Sequence, residues 1–540
     1  MELSSNYYRF FMNLYKKLNK TINSFIKLIL EVTFRQVLHR LKGGIKLLTE
    51  NKHLGLLFGI SILLPLIFTH MAVSLISIAL TLFLVWKDKK SGLLLLFVYF
   101  PIRPFLIEIN DGFKLLGDAV IGFLFVLTII EYIKNKKAFT GLTKYLVTIG
   151  IILFCLTGTV AAFTTGVELK AIIFQNRAFL ITFLLVFVVG ELTFTRMDLK
   201  RFVGITVVMG SILSVHGLIE FISSRTLFVP LAWENWNLSS VNEMRVYGLT
   251  ANPNVLGTYL SICLFATLYA YHTFHKYKWP LISAAILMLG VLCLTYSRGS
   301  ILAFGIAFIL YILLRKDWKM LKSFVAVVVI GLCIIYYPAN AAKTFVSQES
   351  PDRTNPSSQV DEQDNEEEKD HNKTNHRPSS TFSNRFKEIF SDDIIQKSTE
   401  WGRLYVVFKG IDIYMEHPVI GTGFGTFGDS ATLSYGSPIS DQYGLPDRMY
   451  SDNQYIQFLV QTGTIGTLFV LFFIVGIMIQ LWKRRGETIT PVLFSLIIAA
   501  LLMALFYNVL EEKILTLYFY TLLGYFLYKE RDPLEDEPSR

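Results

Sequence analysis

An all-α, polytopic integral membrane protein is the fold class this sequence predicts, with about 12–14 transmembrane helices and one large extracytoplasmic segment. Three observations predict it. Fourteen apolar runs cross the 540 residues, and a run of about 20 apolar residues spans a bilayer as helix. Basic clusters fall in alternate gaps between the runs, as cytoplasmic connections attract Lys and Arg. The composition agrees, with 52% hydrophobic residues and 44 Phe.

The elements follow in order. Residues 1–50 carry Lys16, Lys17, Lys20, Lys27, Arg35, Arg40, Lys42 and Lys46, so this segment is predicted to be cytoplasmic. Its interleaved Phe, Leu and Ile suit an amphipathic helix on the anionic inner surface. A solvated basic tail suits it equally, and no cleavable signal peptide is visible. Residues 54–337 hold spans one to eleven: 54–69, 71–86, 91–108, 115–133, 143–164, 171–192, 202–222, 255–272, 279–295, 299–314 and 321–337. The first two are short enough to be one bent hairpin or partly re-entrant. Basic gaps at 87–90, 134–144, 196–201, 276–278, 315–322 and 483–485 are separated by pairs of spans, so both termini are predicted inside.

The segment 338–451 is then outside. Residues 347–381 are polar and acidic, lack aromatics up to Ser380, and are predicted to be disordered. Asp361, Asp364, Glu366, Glu367 and Glu368 lack the Gly turn and closing Glu of a calcium loop and read as a solvated acidic run. Residues 382–451 read as ordered. Thr399–Glu416 has apolar residues at helical spacing, and Gly421, Gly423, Gly425 and Gly428 make a tight turn. This part is predicted to fold back against the outer membrane face. Residues 452–528 hold the last three spans, 454–482, 490–508 and 512–528, and 529–540 form a cytoplasmic tail.

The net charge of +9 is the sum of the inner loops. It carries no aromatic interleaving of the kind that nucleic-acid binding requires. Cys155, Cys263, Cys293 and Cys333 fall inside spans without metal-ligand spacing and read as small packing residues.

The arginines on the other side of the charge pattern are the informative ones. Arg177 lies within span six, roughly 9 Å from its outer end at the helical rise. Intramembrane charge is costly and marks function by default. Beside Gln175 and Asn176 it reads as part of a polar cavity, the alternative being a side chain snorkelling to the headgroups. Arg245 precedes span eight, Arg298 sits in the turn between spans nine and ten, and Arg403 opens the helical stretch of the large segment. Guanidinium groups fork hydrogen bonds onto phosphate. Four around one cavity would suit a pyrophosphate; any one of them taken singly reads equally as a local ion pair.

These residues carry a resemblance. Arg245-x-x-Gly248 followed by Asn252-Pro253-Asn254 and Gly257 resembles a block of the O-antigen ligase and O-antigen polymerase superfamily. Thr295-Tyr296-Ser297-Arg298-Gly299 resembles its T-x-S-R-G turn. Arg403 with His417-Pro418-Val419-Ile420-Gly421-Thr422-Gly423 is similar to a third block. Asp452-Asn453, nine residues, then Gly463 to Gly466 is similar to its last. The resemblance covers about residues 170 to 530. It implies a metal-independent glycosyltransferase at the outer membrane face, with no cofactor. The implied donor is a glycan on undecaprenyl pyrophosphate, and the acceptor a sugar hydroxyl of a second lipid-linked unit (polymerase) or of another glycan or lipid (ligase). Arg177, Arg245, Arg298, Arg403 and Asn453 would bind substrate. Other polysaccharide-assembly membrane proteins are partners that such a role admits.

One departure stands out. The family's last block usually begins with His, the usual general base; here the position is Asp452. A carboxylate can serve, though its ordinary pKa near 4 makes it a weaker base unless burial raises it. Asp452 reads equally as the N-cap of the next helix. His417 is the fallback, and ahead of a glycine turn it reads first as turn structure. The acidic insert, the absent His and the lysine-rich inner loops resemble a Gram-positive cell-wall polysaccharide polymerase of the teichuronic acid type. The alternative class is a lipid-linked oligosaccharide transporter, which would spread charge along a path through the bilayer rather than gather it on one face.

Overall fold

The computed structural model describes residues 52–134, 146–236, 238–274, 277–349 and 403–528. The predicted basic N-terminal segment, nearly all of the acidic insert and the C-terminal tail lie outside the described residues. Those described are helical, with no strand among them. In chain order the helices are α1 Lys52–Ile67, α2 Met71–Lys87, α3 Lys89–Ile109, α4 Leu116–Lys134, α5 Leu146–Thr164, α6 Leu169–Phe183 and α7 Leu185–Glu191. Then come α8 Arg196–Ile222, α9 Pro253–Thr273, α10 Lys278–Leu294, α11 Arg298–Arg315, α12 Trp318–Gly331 and α13 Tyr337–Glu349. After the undescribed stretch follow α14 Arg403–Glu416, α15 Ser430–Tyr435, α16 Gln454–Lys483, α17 Ile489–Met503 and α18 Lys513–Tyr528.

Nine helical stretches among the described residues are long and apolar enough to cross a membrane, and four shorter apolar helices accompany them. Many large apolar side chains face outward, Leu63, Ile76, Leu156, Ile173, Leu313, Val325 and Trp482 among them. So broad an apolar surface would drive association in water and suits lipid. The helix α18 is the opposite case. Almost every side chain along it is buried, and it packs on α7, α17, α3 and α6 at the centre of the bundle.

The helices share a sense. α8, α10 and α16 each have one end in a basic gap, at Arg196, Lys278 and Lys483, and the other end toward Arg245, Arg298 or Asp452. At the basic end Lys90 pairs with Asp198 at 2.6 Å, and Asp198 completes a capping box with Thr195 that starts α8.

Two spans depart from expectation. The sixth is two helices, α6 and α7, joined at Leu184. The eleventh does not end at residue 337: it passes through a π turn at Leu332–Tyr336 and continues as α13 to Glu349. Pro338 falls in the first turn of α13, where a missing N–H is tolerated, and the π turn absorbs the change of register.

Candidate active site

The motif residues interlock. Asn252 caps α9 by accepting from the N–H groups of Asn254 (2.9 Å) and Val255 (3.3 Å), with Pro253 in the first turn. Asn254 is thereby fixed, and its Oδ1 accepts from Arg245 Nη2 at 2.8 Å and Ser297 Oγ at 3.0 Å. Arg245 Nε donates to the Thr295 carbonyl at 3.0 Å, and its Nη1 reaches Asn242 at 3.5 Å. A Cβ at Gly257 would stand 3.0 Å from Ser297, so glycine lets α9 approach the Thr295–Gly299 turn. Gly248 takes φ +58° and donates to Glu220 at 2.6 Å; Glu220 also pairs with Arg225 at 3.2 Å. Arg245 is therefore built in by both of its motifs.

Arg298 opens α11 immediately after that turn. Tyr296, two residues earlier, sits at φ +50°. That conformation costs a bulky residue about 1–3 kcal/mol, and the Tyr296 hydroxyl is tied to Asn340 at 3.1 Å. The charges of Arg403 and Arg298 oppose that of Arg245, and Asp452 favours it, while burial is the largest effect and pushes Arg245 down to about 10. Three of the expected arginines thus share one electrostatic neighbourhood with Asp452.

Asp452 itself takes φ +50°, a region that Asp enters more readily than most residues. Its Oδ2 accepts from Arg403 Nη2 at 3.4 Å, and about a third of its side chain is exposed. Burial lifts its carboxyl above the ordinary range, with Arg403 and Arg245 pulling the other way. Asp452 is not the helix cap. Asn453 is, accepting from Tyr455 N and Ile456 N at 3.1 Å each. The Asn453 side-chain oxygen is thus committed to the helix, and its nitrogen lies 3.4 Å from Leu505 O. His417 ends α14, its amide bonded to Ile413 O and its ring 3.3 Å from the Tyr443 hydroxyl.

Arg177 keeps different company. It is ion-paired to Asp118 of α4 and lies over the Phe174 ring. Its neighbour Gln175 accepts from Ala431 N at 3.1 Å, which ties α6 to α15.

The glycine turn does not rest on the surface of the bundle. Residues 421–429 are all buried, wedged between α5 and a break in α16. Gly463 has φ +58° and ψ −162°, so α16 is two helical pieces. The backbone groups freed by the break are taken up by the inserted loop. Thr464 N and Ile465 N donate to Pro418 O (2.8 Å) and Val419 O (3.1 Å), while Thr422 N and Gly423 N donate to Val460 O and Gln461 O at 2.8 Å each. Backbone groups that such a break leaves buried need replacement partners of this kind. A Cβ at Gly423 would fall 2.1 Å from Ala162 N, and one at Gly463 would fall 2.4 Å from Val419 O. Phe424 packs against Gly158 and Phe154 of α5 and Phe179 of α6.

Beneath Asp452 runs a buried polar row that sequence reasoning did not single out. Gln454 donates to Gln457 at 2.5 Å, Gln457 to Glu511 at 2.5 Å and to Gln461 at 3.2 Å, and Gln461 to Phe427 O at 3.2 Å. Glu511 also accepts from Ser430 N at 2.8 Å. Asp429 caps α15 and accepts from Gly425 N at 2.7 Å. Burial raises both the Glu511 and Asp429 carboxyls, and the charge of Asp429 raises Glu511 further. The signal was present: Glu511, Glu512 and Lys513 interrupt an apolar stretch, where ionisable residues mark function or paired structure.

The fold and site define a polytopic helical membrane protein with an arginine–aspartate centre held by loops at one end of its bundle. Residues 283–471 match the family model described as O-Antigen ligase. The match supports a place for this part of the chain in the O-antigen ligase and polymerase superfamily, and supports an activity of that type. It contains Arg298, Arg403, Asp452, Asn453 and the break at Gly463, and starts after Arg177 and Arg245. Comparison with curated proteins finds no match.

Proposed function

We propose that the chain is a glycosyltransferase that joins glycan units carried on undecaprenyl pyrophosphate, at the outer face of the cytoplasmic membrane. The reading extends to a polymerase of cell-surface polysaccharide, of the Gram-positive teichuronic acid type. The contact of Arg403 with Asp452, in the shared field of Arg245 and Arg298, is the observation that supports it most. The acceptor hydroxyl gives its proton to Asp452 as its oxygen bonds the donor's anomeric carbon. The bond from that carbon to the pyrophosphate oxygen breaks in the same step. The guanidinium groups receive the charge that develops on the leaving pyrophosphate. One displacement without a covalent intermediate inverts the anomeric centre.

The test is reconstitution. Purified protein is incubated with lipid-linked repeat units, and products are separated by size. Polymer or ligated product, lost in Asp452→Asn and Arg403→Ala, supports the reading. Folded wild-type protein that yields neither product from a panel of such lipids overturns it.

A further inference from the structure

Arg177 lines an apolar groove between α5 and α6, about 410 Å³ in volume. Leu180, Ile181 and Phe163 are among its walls, and its other polar residues are Asn176 and Thr159, bonded to one another at 2.8 Å. Behind Arg177 lie further charged groups of both signs. The Lys513 ammonium donates to Ala178 O at 3.2 Å, and the charges acting on it are Asp118, Arg177, Arg103 and Glu511. Glu511 is already engaged by Ser430 and Gln457. Glu512 also interacts with Lys513, so Arg177, Arg103 and Lys513 stand among Asp118, Glu511 and Glu512, and of these groups Arg177 lines the groove. An apolar trough with a guanidinium at its wall complements a lipid whose chain fills the trough and whose phosphate takes the fork.

We infer that this groove is a second lipid-phosphate site, which takes the lipid pyrophosphate of the acceptor while Arg245, Arg298 and Arg403 take that of the donor. The inference rests on the glycosyl-transfer reading above. Its logic is positional. A donor's pyrophosphate is bonded to the reacting carbon, so it must lie beside Asp452. An acceptor's reacting hydroxyl is separated from its own pyrophosphate by the length of its glycan. A guanidinium-lined groove whose arginine is not among the charges named as acting on Asp452 or Arg245, yet joined to the same segment through Gln175–Ala431 and Phe174–Tyr435, fits the second partner. An acceptor without a lipid phosphate would have no use for it, so the site favours polymerisation over ligation to an uncharged glycan.

The experiment compares two acceptors bearing the same glycan, one on polyprenyl pyrophosphate and one free. Arg177→Gln is expected to raise KM for the lipid-linked acceptor about tenfold relative to the free glycan. Arg177→Lys, which keeps the charge but loses the fork, is expected to fall between. Asp118→Asn is expected to lower KM for the lipid-linked acceptor, because it releases the guanidinium from a competing carboxylate. A purely structural ion pair predicts the reverse: both substitutions then act in one direction, and equally on both acceptors, which would overturn the site. Native mass spectrometry of polyprenyl pyrophosphate on wild type and Arg177→Gln gives a readout that needs no turnover. Wild type is expected to retain two such lipids and Arg177→Gln one; equal stoichiometry in the two proteins, or retention of phospholipid alone, overturns the groove. Loss of one bound lipid in Arg177→Gln, with no transfer by the wild type to either acceptor, upholds the groove as a lipid-phosphate site and overturns the glycosyl-transfer reading.

Discussion

Asn453 Oδ1 holds the first turn of α16, so Asp452, one residue earlier and at φ +50°, is released from the helix and meets Arg403 instead. The two neighbours divide structure from chemistry, and their substitutions should separate the same way. Asn453→Ala is expected to lower stability by about 0.5–2 kcal/mol, and Asn453→Asp to keep the cap. Asp452→Asn is expected to melt like the wild type and to lose most activity. Thermal unfolding alongside turnover checks both; a fully active Asp452→Asn would return Asp452 to a structural role.

The pH profile follows from the same carboxylate. A base must be deprotonated, so the rate should rise as pH passes through the Asp452 pKa. Burial raises that pKa from 3.8, and Arg403 and Arg245 oppose the rise. Arg403→Gln removes one opposing charge, so the acid limb of kcat/KM should move to higher pH. Asp452→His should retain some activity, with its limb near the histidine value of about 6.5. A limb that stays put in both variants would assign the titration to another group.

Gly463→Ala and Gly423→Ala are expected to give no stable protein. Each places a Cβ against backbone atoms, 2.4 Å from Val419 O and 2.1 Å from Ala162 N, at a positive φ. Gly305, with open space around it inside α11, is the control: Gly305→Ala should be neutral or gain up to about 1 kcal/mol. Size-exclusion profiles and melting temperatures of the three proteins decide the matter.

Arg245→Lys is expected to fold and to lose about a hundredfold in rate, the magnitude typical of one lost charge-stabilising donor. A lysine cannot reach Thr295 O, Asn254 and Asn242 together. Asn254→Ala should produce a similar loss by freeing Arg245 and Ser297. Unchanged turnover in either would remove Arg245 from the site.

Orientation is tested separately. Ser357→Cys in intact cells should react with an impermeant thiol reagent, and Ser539→Cys should not. Labelling of Ser539→Cys would invert the topology.

Much of the helical plan was legible because each run was long, apolar and bounded by charge. The motif positions were legible too, and Arg245, Arg298, Arg403 and Asp452 do share a neighbourhood. What the sequence hid was backbone conformation. Asp and Asn are both good caps, and only the positive φ at Asp452 tells which one turns away. The run Gly421–Gly428 read as a surface turn, because polar loop composition looks the same whether it meets water or fills a break in a helix. Arg177 was grouped with the other arginines by side of the membrane, which carries no information about lateral distance within the bundle. Its ion-pair partner, Asp118, lies far from it in sequence.

The break in α16 also works as a ruler. From Lys483 at the basic end to Thr464 the helix is about 30 Å long at 1.5 Å per residue, one hydrocarbon thickness. The inserted loop ties that level to Gly158 and Ala162 of α5, and Thr159 ties it to Asn176 beside Arg177. By this measure Arg177 stands where the headgroups begin, and a lipid phosphate meets it without being drawn into hydrocarbon. Thicken the membrane by one helical turn, about 5.4 Å, and the guanidinium is submerged. Turnover by this protein should therefore depend on the acyl-chain length of the bilayer that surrounds it.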